Sequence, residues 1–490
     1  MAGETQYAFV HVLLRDVAYG QIPRAARAGR HAAAAGWIES LGRAEDHAEM
    51  LAHHYLSALD LARGAGQDTV GLAPRARTAL QAAGDRAVAL NAFGSAVGYY
   101  RAALALWPQD AHQQRAGLLR LLGSALHEAG ELDQAEAVLA EGSRVAAAAG
   151  AAALEARICI MLTEIRNSLG GPEDQALAQC QAAIAVLEAE GDLEGLAEAW
   201  KLTGMYRFWL GDSPADQQAL ERAMAYARQG GHRRVQMQAS FWLALTFITL
   251  PIPVDAAIPR AEQLLQTADG EPWAEADILG PLSELYAYGG RFADARRAIA
   301  RARSVYDSSG SKIRWALGEF VDGEIELLAG DLAAAEQHLR KAYEAYRAMG
   351  ERARLGTVLG LLAEALYAQG RLDEARQMTE EAQATAAPAD IDAQARWRAV
   401  RAKLLARAGQ FPAAQTLLDE AAALVSPTCW AALQAEILLA RAEVDRLAGA
   451  PERAEASLRA ALRIYQDRHA TPLADQAAAA LAGHPSAKPA

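Results

Sequence analysis

The chain has 490 residues, nearly a quarter of them alanine, with 48 Lys and Arg against 60 Asp and Glu and a net charge of −12. Alanine on that scale favours helix and excludes a β-rich fold, so the length does not translate into three ordinary domains. The acidic balance excludes a binder of phosphate backbones, and Cys159, Cys180 and Cys429, scattered without metal-ligand spacing, read as reduced thiols of a cytosolic protein.

The first ten residues carry Glu4 before any apolar run and no basic stretch, so no secretory signal is expected. Next comes the block Phe9-Val10-His11-Val12-Leu13-Leu14-Arg15-Asp16-Val17-Ala18-Tyr19, followed by Ile22-Pro23-Arg24, Arg27 and His31. This block resembles the region where the winged-helix part of a STAND-type signalling ATPase joins its helical array. The stretch Ala48-Glu49-Met50-Leu51-Ala52-His53-His54-Tyr55 continues the resemblance. It implies a helical junction over residues 1–75 and a chain that works with, or derives from, such an ATPase, often in bacterial proteins carrying a cyclase or a DNA-binding domain. His11, Arg15 and Asp16 are expected to organise this junction through hydrogen bonds and ion pairs. His47, His53, His54 and Glu49 form a His cluster, but a spacing of six does not put His47 and His53 on one helical face, and no metal site is expected.

From residue 76 to 470 a turn pattern recurs: Gly, a polar residue, an apolar or small residue, two more, then Ala. Clean copies are Gly130–Ala135, Gly290–Ala295, Gly330–Ala335 and Gly370–Ala375, with looser ones at Gly409 and Gly449, weak ones at Gly170 and Gly211, and a degenerate one at Leu250-Pro251-Ile252-Pro253. The spacing stays between 39 and 41 residues, which unrelated loops do not produce. Each unit reads as helix, Gly-ended turn and second helix. Small residues at fixed offsets let the two helices approach closely, as with Gly84, Ala96 and Ala103 beside Tyr100 and Pro108, or Ala363, Ala375 and Ala382.

Those offsets resemble the tetratricopeptide repeat, in a lengthened form. The resemblance implies an all-α solenoid, a superhelix of about nine to ten helix-turn-helix units with a concave binding groove, followed by a capping segment and frayed tail over 471–490. Each unit is expected to touch only its neighbours, leaving the last repeat, Pro451–Ala470, least protected. The most apolar stretch, Phe241–Val254, holds two prolines and is too short to span a bilayer. No phosphate-binding G-x-x-x-x-G-K-[ST] loop occurs; Gly310-Ser311-Lys312 is a fragment in a turn between repeats.

Aromatic residues cluster between 200 and 320, where they either fill the core or line a binding surface. In repeats of this kind the first helix of each pair supplies most of the inner face. Taking Trp200 as the fourth position and Gly204 as the small eighth puts Lys201, Met205, Phe208 and Trp209 there. The 40-residue period extends the face to Phe241, to Glu284 and Tyr288, and to Phe320; backward, through Gly123, it reaches Arg120, His127 and Glu128. Pro251, Pro253 and Pro259 are expected to form an extended loop at the groove rim. The resulting expectation is a cytoplasmic, non-catalytic scaffold without cofactor or metal. It binds a protein, peptide or small effector, with self-association possible in principle and neither nucleic acid nor membrane as partner. Through the resemblance it acts as the sensor arm of a STAND-type system, the alternatives being a free-standing adaptor and an enzyme on a helical-repeat scaffold.

Overall fold

The computed structural model describes residues 11–483 apart from 43, 170–173, 269 and 389. Among them the regular elements are all helical, as alanine content implies. The first helices are α1 (Val12–Gly20), α2 (Arg24–Ser40), α3 (Ala48–Gly64), α4 (Leu72–Ala89), α5 (Phe93–Leu106) and α6 (His112–Glu128). The next are α7 (Leu132–Ala148), α8 (Ala152–Ser168), α9 (Asp174–Glu190), α10 (Leu193–Trp209), α11 (Ser213–Gly230) and α12 (Arg233–Thr249). Then come α13 (Val254–Thr267), α14 (Pro272–Tyr288), α15 (Phe292–Ser309), α16 (Lys312–Ala329), α17 (Leu332–Met349) and α18 (Leu355–Ala368). The last six are α19 (Leu372–Thr385), α20 (Ile391–Arg407), α21 (Phe411–Val425), α22 (Ala431–Leu447), α23 (Pro451–Asp467) and α24 (Thr471–Ala482). None of the described helices is long and apolar enough to cross a membrane. The chain forms two compact units, one up to Leu126 and one from His127.

In the first unit α2 packs on α3, α3 on α4 and α4 on α5. Helix α1 buries none of its residues: Val12, Leu13, Leu14 and Val17 are 54–64% exposed. His11 caps this helix, its Nδ1 accepting from the Leu13 N–H at 3.2 Å, and Arg15 pairs with Asp16 at 2.8 Å. These contacts are local to the helix end.

The second unit is an array of antiparallel helix pairs whose turn chemistry matches the repeat. At Gly330 φ is +82°, a left-handed value that glycine adopts without a Cβ clash, and its N–H donates to the Leu327 carbonyl at 3.1 Å. Asp331 follows as the cap of α17, accepting from the Ala334 N–H at 3.1 Å. Gly130, Gly211, Gly290, Gly370, Gly409 and Gly449 take the same conformation; the Gly170 copy lies outside the described residues. A further glycine series at Gly150, Gly191, Gly231, Gly310 and Gly350 turns the chain from one pair to the next. Ser311, in the Gly-Ser-Lys fragment, caps α16 by accepting from the Arg314 N–H at 3.4 Å.

Two expectations are corrected here. Pro259 lies inside α13 and not in an extended loop; only residues 250–253 depart from helix. The array also does not pair nearest neighbours alone. The Cys429 N–H donates to the Gly211 carbonyl at 3.1 Å, the Val254 N–H to the Arg468 carbonyl at 2.8 Å, and Arg468 Nη2 to the Ile248 carbonyl at 2.6 Å across 220 residues. A Cβ on Gly130 would meet Met349 Sδ at 2.7 Å. Units five to six repeats apart therefore touch, and the second unit winds back onto itself. The turn between α23 and α24 is docked at the junction of α12 and α13, and α24 packs on α14 and α16, so the last pair is not left as a free end.

Candidate functional site: an aromatic and acidic inner cavity

The even-numbered helices from α10 to α22 pack on one another in succession and form the inner layer. Their sequences follow from that position. Ten residues of α10 and twelve of α14 are buried, because these helices meet their own partner, two flanking helices and the interior at once. The odd-numbered helices carry one buried stripe, as in α23 with Ala454, Leu458, Ala461 and Tyr465.

The winding forms two adjoining, partly open cavities of about 190 and about 450 Å³. Of the residues expected on the inner face, Phe208, Trp209, Phe241, Glu284, Tyr288 and Phe320 line the first, and Glu284 and Tyr288 also line the second. Trp209 is half-buried and not left in water; its ring meets Trp242 edge-on at 5.7 Å and Tyr206 at 6.0 Å. Phe208 is half-buried between Trp242 at 5.9 Å and Trp430 at 5.7 Å. Phe241 is 3% exposed and so belongs to core and cavity wall together.

The remaining expected residues lie elsewhere. Met205 is a correction: at 2% exposure it is core, turned into the helix interfaces behind the wall. Lys201 is buried against Glu164, 3.5 Å away, and Gln238. Glu128 pairs with Arg234 at 3.5 Å. His127 is a half-buried neighbour of this charged group and favours the ionised form of Glu164. Arg120 sits on α6 in the first unit and is not among the residues that line the cavities.

Lys201 and Glu128 belong to a matched ionic layer, in which Glu128, Glu164 and Asp277 oppose Lys201, Arg234 and Arg314. Arg314 lies 3.1 Å from Asp277 and 4.9 Å from the centre of the Phe241 ring. Burial pushes the Asp277 carboxyl up from its ordinary value, and Arg314 opposes that shift.

Glu284, Tyr288, Glu324, Arg396, Leu433 and Glu436 are shared by both cavities and form the partition between them. Sequence reasoning missed Glu324, Arg396 and Glu436, although the period held the signal: Glu324 is Glu284 advanced by 40, and Glu436 is Arg396 advanced by 40. Trp430 carried no such signal, since it precedes α22 and meets Phe208 through the winding alone. Burial raises the Glu284 carboxyl well above its ordinary range, with repulsion from Glu324 adding to it. Burial also pushes Glu324 up to about 8, against the opposing pull of Arg396.

In the first unit the histidine grouping differs from the sequence expectation. His31, not His47, joins His53 and His54, and one ring nitrogen from each lies within 4.8 Å of the others. His31 Nδ1 and His54 Nδ1 share a hydrogen bond of 2.9 Å, and Tyr19 Oη meets His31 Nε2 at 2.8 Å. Burial, then repulsion from the neighbouring rings, lowers the pKa of His31 and of His54. Neutral imidazoles linked by hydrogen bonds account for this geometry, which ties α1, α2 and α3 together.

No protein-family model matches the sequence, and no curated protein matches it. The fold is similar to that of a Rap protein in a crystal structure with competence and sporulation factor, at a TM-score of 0.54 and 14% identity, over 74% of this chain and 99% of that one. A chain of the APC/C hetero-tetramer Cut9–Hcn1 aligns over 95% of both chains at 14% identity, but at a TM-score of 0.36 that carries no argument. At such identities the likeness concerns fold alone: an all-α, TPR-like helical-repeat solenoid.

Proposed function

We propose that this chain is a non-catalytic TPR-like scaffold that binds a protein, peptide or small effector in the inner cavity of its second unit, as the sensor arm of a STAND-type signalling system in the cytoplasm. The observation that carries the binding reading is the cavity itself. Phe208, Trp209, Trp242 and Trp430 wall it, and the buried carboxylate of Glu284 reaches it without a hydrogen-bond or ion-pair partner among the described residues. Apolar walls with a few convergent polar groups are the usual makeup of a ligand site. The Rap neighbour, solved with competence and sporulation factor, supports the idea that such a fold can hold an effector.

Two features support the STAND arm. One is the residue block from Phe9 to His31. The other is the apolar surface of α1, which at Val12, Leu13, Leu14 and Val17 fits a helix packed against a further polypeptide. Non-catalysis is supported by the missing phosphate loop and by the matched, structural ion pairs of the inner layer.

A thermal-shift screen of peptides and metabolites tests the cavity. Effectors that stabilise the wild type are expected to lose their shift in Phe208→Ala with Trp430→Ala. Hits that keep their full shift in that variant remove the cavity as the site, and saturable ATP binding or turnover removes the non-catalytic reading.

A further inference from the structure

Carboxylates gather at the partition between the two cavities in excess of the cations there. Glu284 and Glu324 come from equivalent positions of α14 and α16; Asp392 and Glu436 come from α20 and α22. Arg396 is already engaged, 2.8 Å from Asp392 and 2.6 Å from Glu436. The nearby Arg354 faces Glu351 at 3.8 Å, and Lys403 faces Glu364 at 2.5 Å. Neither supplies the missing charge.

Glu284 is 7% exposed, lines both cavities, and makes no hydrogen bond or ion pair among the described residues. Glu324, half-buried at the same wall, likewise has neither among the described residues. A buried carboxylate without a partner is costly unless it is protonated or meets a cation. The ionic layer of Glu128, Glu164, Asp277, Lys201, Arg234 and Arg314 is balanced, so the imbalance is local to the cavity wall. Beside it stand the rings of Phe208, Trp209, Trp242 and Trp430, whose faces favour both apolar groups and cations.

We propose that this cavity takes a peptide segment with a basic side chain, Arg or Lys, next to an apolar or aromatic one, the cation lying between Glu284 and Glu324 and the apolar group among the rings. The inference rests on the cavity being the binding site. Two chambers of different lining that meet at the carboxylates suit a chain whose chemistry changes along its length. Because burial holds Glu324 up to about 8 and Glu284 above its ordinary range, an arriving cation drives out protons. Affinity therefore rises with pH through that value, with Tyr288, Asp392, Arg396 and Glu436 as the other groups facing the pair.

Calorimetry on the full chain with N-acetyl-Phe-Arg-amide, its citrulline analogue and its Glu analogue tests this. The Arg probe is expected to bind at least about tenfold more tightly than the citrulline probe, more tightly still at higher pH, and the Glu probe not at all. Glu284→Gln with Glu324→Gln is expected to abolish that preference and the pH dependence while the helical circular dichroism signal is kept. Equal affinity for the Arg and citrulline probes, lost in Phe208→Ala, overturns the cation assignment and leaves the cavity as a site. Arg-probe binding unchanged by the Gln pair and by Phe208→Ala overturns the cation assignment and places the probe outside the cavity. Absence of binding by all three probes overturns the cation assignment, while the effector screen in Phe208→Ala with Trp430→Ala separately decides the cavity.

Discussion

Gly204 has no room for a side chain: a Cβ there would lie 2.6 Å from Leu220 Cγ across the α10–α11 interface, and one on Gly84 would lie 2.4 Å from the Tyr100 ring. The small positions of the repeat are therefore close-approach points between the helices of a pair. Gly204→Ala gains up to about 1 kcal/mol of helix propensity but overpacks a rigid interface at a cost of about 1–3 kcal/mol. Denaturant unfolding is expected to show a net loss, and a stabilised variant would mean that Leu220 moves aside freely. Among the aromatic residues, Phe241→Ala is expected to cost about 3–5 kcal/mol as a core truncation. Phe208→Ala, at a half-buried ring, is expected to cost clearly less. Equal losses would make Phe208 core in the same sense as Phe241.

At the scale of elements, the histidine cluster joins α1, α2 and α3 with a pH dependence of definite sign. His31 and His54 have folded pKa values below the ordinary 6.5, so the folded state binds fewer protons than the unfolded state below that value. The stability they contribute is present above pH 6.5 and is lost as pH falls toward their lowered values. The groups facing His31 are Tyr19 on α1, Arg27 on α2, and His53 and His54 on α3. Arg27 and the neighbouring imidazoles all disfavour its protonation. Protection factors for amide exchange in α2 and α3, corrected for the intrinsic slowing of exchange in acid, are expected to fall on acidification across this window, and His31→Gln is expected to weaken the response. Protection that is flat across the window, or that rises on acidification, contradicts the sign.

For the second unit as a whole, winding changes how stability is distributed. A one-dimensional array has weak ends, but here Arg468, 5% exposed, donates to the Ile248 carbonyl while its own carbonyl receives the Val254 N–H. Protection is therefore expected to persist into α23. Arg468→Ala is expected to lower it in α23 and around residues 248–254 together. A loss confined to α23 would show that the contact does not couple the two places. The same winding closes the inner face, so a ligand is expected to rigidify helices from α10 through α22, not a single repeat.

The sequence by itself determined the all-helical class, the 40-residue period and the turn chemistry, because these depend on local energetics: alanine propensity, the left-handed freedom of Gly330 and the cap at Asp331. It also placed Phe208, Trp209, Phe241, Glu284, Tyr288 and Phe320 on one inner layer, since a period carries register from one helix to the next. It misplaced Met205, which packs into the core behind the wall, and it read Pro259 as loop, although the proline lies inside α13, where the packing of Val254, Ala257, Ile258 and Ala261 holds the helix despite the lost backbone donor. Only the tertiary structure decided which distant residues meet. The rotation from each pair to the next, summed over five to six units, brings Trp430 onto Phe208 and Arg468 onto Ile248. No local pattern encodes that sum, and it deepens the inner groove into partly open cavities that share carboxylates from distant repeats.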